Sequence, residues 1–87
     1  MKTDEKTLIN DVKEMVVWSY HMARAAMGLY EEQKYYDMVK QSGHDAEYYD
    51  GVSEAYNAIL LQLIGGKELM KLHAELIDGC KDEEELN

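Results

Sequence analysis

The sequence predicts an all-α domain, and three observations carry that expectation. Ala, Leu, Glu, Lys, Arg, Gln and Met make up 45 of the 87 residues, and these side chains lose little rotamer freedom in a helix. Proline, the strongest helix breaker, is absent. Apolar residues recur at spacings of three and four, whereas no stretch alternates apolar and polar residues for long. The expected architecture is a long N-terminal helix, straight or kinked near Gly28, packed antiparallel against two shorter helices, with the bundle completed by oligomerisation.

The first helix starts at about residue 4, with Thr3 as its cap and Asp4 and Glu5 complementing the positive end of its dipole. Its apolar stripe is Leu8, Val12, Met15, Ser19, Met22, Ala26 and Leu29, and helix-forming residues continue to Ser42-Gly43. Gly43 suits the left-handed residue that follows a helix. Asp45 caps a second helix whose apolar face reads Tyr49, Val52, Tyr56, Ile59, Leu60 and Leu63, and Gly65-Gly66 ends it. A third helix runs from about Lys67 to Ile77, turns Leu69, Leu72 and Leu76 inward, and stops at Asp78-Gly79. Residues 1–79 thus form one domain, and 80–87 an acidic, flexible C-terminal tail.

Length makes the first helix a problem for a lone chain. From residue 4 to 41 it would extend about 57 Å, against a diameter near 30 Å for a compact globule of this size (roughly). Met15, Val16, Val17 and Trp18 are consecutive, so they point around the whole helix and cannot all face one layer. These residues, with Met22, are the expected surface of a homo-oligomer. A close helix contact is expected where the small face Gly51, Ala55 and Ala58 meets Ser19, Ala23 and Ala26, with Gly28 opposite Ala58.

Charge narrows the choice of partner. The net charge is −9, and residues 41–87 carry most of it, with no Lys or Arg between Gln41 and Gly66. A phosphate backbone is repelled by that half, so direct nucleic-acid binding is not expected; a basic protein surface is attracted. Glu47, Asp50 and Glu54 stand at i, i+3 and i+7 as one acidic stripe opposite the Tyr/Val/Ile face of the second helix, and Tyr48 follows Glu47 in the chain. These four residues are the expected docking set. The seven tyrosines and absent phenylalanine suit half-buried rims, with Tyr35-Tyr36 and Tyr48-Tyr49 on either side of the Gly43 turn. The polar N-terminus, the single Cys80 and the short apolar runs point to a cytoplasmic protein without a membrane span.

Chemistry-bearing residues are sparse. His21, His44 and His73 form no ligand pair at helical spacing, and Ser19, Ser42, Ser53 and Cys80 have no base and orienting group nearby in sequence. No enzyme, cofactor or metal site is expected on that ground. One spacing does invite comparison: Glu31-Glu32 followed by Glu47-Tyr48-Tyr49-Asp50 is similar to the carboxylate pattern of the MazG-like all-α nucleotide pyrophosphohydrolases. The resemblance covers about 20 residues, and Tyr35 stands where that family's first segment has its last Glu. It implies Mg²⁺ held by Glu31, Glu32, Glu47 and Asp50 around a nucleoside triphosphate. The primary expectation remains a small acidic interaction module of unknown exact role. It would act as an adaptor or as an inhibitor of a basic partner, a nucleic-acid-binding protein being one such partner, in the manner of small mobile-element proteins. The alternatives are a degenerate MazG-like hydrolase and a binder of a small ligand at a subunit interface.

Overall fold

The computed structural model describes the backbone of residues 4–86 and the side chains of residues 4–77. Among these are four helices and no strand: α1 (Glu5–Ala26), α2 (Gln33–Ser42), α3 (Ala46–Ile64) and α4 (Gly66–Leu86). The all-α expectation holds, but the long first helix is two helices. At the end of α1 the chain closes in a Schellman motif: Gly28 adopts φ +78°, Leu29 N–H donates to Arg24 O and Gly28 N–H to Ala25 O, both at 3.0 Å. Only a residue without Cβ takes that conformation at no steric cost. The break also removes the length problem, since 22 residues span about 33 Å within a molecule of 40 × 29 × 20 Å.

Caps fix the other boundaries. The α1 cap is Asp4, whose carboxylate accepts from Lys6 N–H at 3.3 Å; Thr3, expected in that role, lies outside the described residues. Gly43 ends α2 at φ +73°, and Asp45 caps α3 by accepting from Tyr48 N–H at 3.0 Å. Gly65, at φ +85°, separates α3 from α4. The expected stop at Asp78-Gly79 does not occur, and the helical backbone runs on to Leu86. Glycine inside a helix costs only about 1 kcal/mol against alanine, which ends a helix only where the chain also gains by turning. The tail proposed over residues 80–87 lies outside the described side chains.

Two apolar clusters hold the helices together. Val12 and Val16 of α1 meet Leu60 of α3 and Leu69 of α4, with Ile9, Tyr56, Leu63, Ile64 and Leu72 around them. Nearer the α2 end, Met22 and Ala23 meet Tyr49, flanked by Trp18, Ala26, Tyr35 and Val39. The early part of α1 therefore packs on the late part of α3, and the late part of α1 on its start. Ser19 is fully buried and donates to Val16 O within its own helix at 3.0 Å, so a polar atom costs little there.

The small-face pairing is not formed. Ser19 and Ala23 are buried as expected, but Gly51, Ala55 and Ala58 are exposed. A Cβ built at Gly51 or at Gly28 would meet nothing within 4 Å. The neighbouring arc of α3, with Tyr49, Tyr56 and Leu60, offers far more apolar area and takes the interior instead.

Candidate docking groove

An open groove of about 460 Å³ runs between α1 and α3. From α1 it is lined by Met15 and Trp18, and from α3 by Tyr48, Val52, Ala55, Tyr56 and Ile59. The sequence explains its shape. Tyr48, Val52, Ala55 and Ile59 stand at i, i+4, i+7 and i+11, one continuous lane of α3. Ala55 and the adjacent Gly51 bring no bulk to fill the gap, so the large side chains remain as walls around open space. Tyr48 and Ile59 are nearly half exposed, at 46% and 48%, which leaves apolar and aromatic surface facing out.

The aromatic end of the groove is held from behind. Tyr49 is buried and its ring meets Trp18 edge-on, with centroids 5.9 Å apart. Its hydroxyl bonds Ser42 Oγ. Ser42 Oγ donates to Val39 O at 2.8 Å and accepts from His44 N–H at 3.2 Å, so all its bonding capacity is used. His44 stacks on Tyr48 at 3.8 Å. The turn between α2 and α3 thus fixes Tyr48 and Tyr49, and through Tyr49 it fixes Trp18.

Acidic side chains border this surface. Glu47, Asp50 and Glu54 are all exposed on α3, on the far side of the Gly51–Ala55–Ala58 lane from the groove. On α1, Asp11 and Glu14 are exposed, and each stands four residues before a lining residue, Met15 or Trp18. Of the residues predicted from sequence, Tyr48 of the docking set and Met15 and Trp18 of the oligomer set line the same groove, whereas Glu47, Asp50 and Glu54 do not line it. Two members of the oligomer set need correction. Val16 and Met22 are each only 1% exposed and belong to the chain's own core, while Met15, Val17 and Trp18 keep partly exposed surface. Val52, Ala55 and Ile59 were not expected as lining residues, because only the fold sets them against α1.

The four carboxylates of the hydrolase-like pattern are not brought together. Glu31 is buried, and its carboxylate accepts from Arg24 Nε and His21 Nδ1, each at 2.8 Å. Glu32 faces Lys34 at 3.4 Å on the surface, and Glu47 and Asp50 lie exposed on α3. Among the described residues, no group of three His, Cys, Asp or Glu is placed to hold a metal ion. Glu31 instead ties the α1–α2 connection back onto α1, with the His21 ring stacked on Tyr35 of α2 at 4.9 Å. The sequence offered no periodic signal for this joint. A second joint links α3 to α4, where His73 Nε2 donates to Asn57 Oδ1 at 2.7 Å and Asn57 Nδ2 donates to Ser53 O at 2.8 Å. The serines considered as nucleophiles are thus engaged in local bonds, and the Cys80 side chain lies outside the described residues.

Comparison with protein-family models, curated proteins and solved structures gives no match. Among the described residues, no helix is long and apolar enough to cross a membrane.

Proposed function

We propose that this chain is a small acidic interaction module that works by binding a Lys/Arg-rich surface of another protein, as an adaptor or as an inhibitor covering that surface. One observation carries the reading: a preorganised, partly apolar groove opens along α3, in the stretch from Gln41 to Gly66 that holds no Lys or Arg and carries Asp45, Glu47, Asp50 and Glu54. Apolar contact supplies binding energy, while the carboxylates select the sign of the partner and speed its approach. The test is capture from the native host with wild-type protein and with Glu47, Asp50 and Glu54 all changed to Lys. The triple reversal is expected to lose the partner while keeping its helical circular dichroism. Equal capture by both proteins would reject the role given to the carboxylates.

Self-association is the second reading, and α4 favours it. Met70 is 73% and Ile77 is 55% exposed, one above the other at i and i+7 with Ala74 between them. Together with the exposed parts of Met15, Val17 and Trp18, they give a homo-oligomer two apolar strips to cover. A single monomeric mass in light scattering at high protein concentration would reject it.

A further inference from the structure

We infer that the groove between α1 and α3 seats one amphipathic helix of a partner protein, apolar stripe inward and Lys or Arg along both of its flanks. The inference rests on the interaction reading above and names the form the partner takes. From Tyr48 to Ile59 the α3 wall extends about 16 Å, or three helical turns. That length accepts apolar anchors at i, i+3 or i+4, and i+7 of a bound helix. The exposed Gly51–Ala55–Ala58 lane presents no projecting side chain, so a helical cylinder can lie close along α3. Addition of an extended strand has no template, since the described residues contain no sheet edge. The occupant's charge follows from the exposed carboxylates around it: Asp11 and Glu14 beside the α1 wall, and Glu47 and Glu54 beyond the small-residue lane of α3. A second copy of this chain carries the same net charge of −9 and would set acidic surface against acidic surface, so a basic helix is the better match.

Trp18 is the only tryptophan and lines the groove, so its emission reports occupancy directly. The full-length protein is titrated with four synthetic peptides of about five turns, long enough to form helix when bound. One is a Leu/Lys amphipathic helix, the second has the same composition scrambled, the third carries a central proline, and the fourth replaces Lys by Glu. The amphipathic basic peptide is expected to shift Trp18 emission saturably and to weaken with added salt. Scrambling, the proline and the change of Lys to Glu are each expected to cost about tenfold or more in affinity, as is Ala55→Trp, which fills the groove from an exposed position and leaves the core untouched, its affinity being read by calorimetry because it adds a second tryptophan. If scrambled and amphipathic basic peptides bind equally and Ala55→Trp changes neither, the groove inference falls while the acidic docking reading stands. If the Glu peptide binds as well as the Lys peptide, or no basic peptide binds, both fall. Tight binding of the proline peptide overturns the helical form of the occupant. A wild-type dimer that Ala55→Trp converts to monomer assigns the groove to a second copy and overturns the inference.

Discussion

Removing the Glu31 carboxylate should loosen α2 from the rest of the molecule. The Glu31 side chain is 3% exposed and holds Arg24 and His21, whose side chains are 13% and 21% exposed. Glu31→Ala deletes two charge-assisted hydrogen bonds and leaves the Arg24 guanidinium largely buried without its carboxylate. Taking one partner from a buried pair costs about 3–5 kcal/mol. The lower end applies, because Arg24 also lies over the Tyr20 ring at 5.7 Å and the His21 side is partly wet. A loss of about 3 kcal/mol is a large part of a small domain's stability and corresponds to a fall in Tm of roughly 12–24 °C. Urea unfolding followed by circular dichroism measures it, with an unchanged slope as the sign that both states keep their compactness. Glu31→Gln keeps the shape and loses the charge, and is expected to lose less. Hydrogen exchange should show α2 amides opening before those of α1 and α3. A loss below about 1 kcal/mol in Glu31→Ala, with α2 protection intact, would refute the reasoning.

Three other perturbations test the packing and the turns. Leu60 is 0% exposed at the centre of the larger cluster, so Leu60→Ala should cost about 3 kcal/mol in urea unfolding. Gly43 sits at φ +73°, so Gly43→Ala should destabilise by about 1 kcal/mol, read as a lower urea midpoint. Gly51 lies within α3 with open space where a Cβ would stand, so Gly51→Ala should raise stability by about 0.5–1 kcal/mol. A loss at Gly51 would show that the lane is covered after all. If α4 drives self-association, Met70→Glu with Ile77→Lys should lower the mass seen in light scattering without loss of helicity.

Most of the fold was legible because its signals are local. Asp45, Gly43 and Gly65 act within one turn of themselves, and the alternating three and four spacings place Val12, Tyr49, Leu60 and Leu69 inward whatever the topology. The α1–α2 break was legible only as a kink near Gly28. Glu31, Glu32, Gln33 and Lys34 are acceptable helix formers, and what completes the turn begun at Gly28 is a bond from Glu31 back to Arg24 and His21. Gly79 errs in the other direction, since a glycine without a competing turn does not stop a helix. The small face of α3 misled because Gly51, Ala55 and Ala58 resemble a packing seam, yet the adjacent arc buries larger side chains. The groove itself was visible only in halves. Tyr48 and its acidic neighbours belong to one helix, Met15 and Trp18 to another, and 30 residues separate Trp18 from Tyr48.

The central claim, that a basic partner docks beside the acidic face of α3, is tested most directly by a photo-reactive amino acid placed at Tyr48. Tyr48 is exposed at the groove's aromatic end and next to Glu47. After irradiation in the native host, peptide mapping should find cross-links to a Lys/Arg-rich helical segment of another protein, and these should vanish when Glu47, Asp50 and Glu54 are changed to Lys. Cross-links to other copies of this chain alone, or to a partner segment without basic residues, would contradict the account.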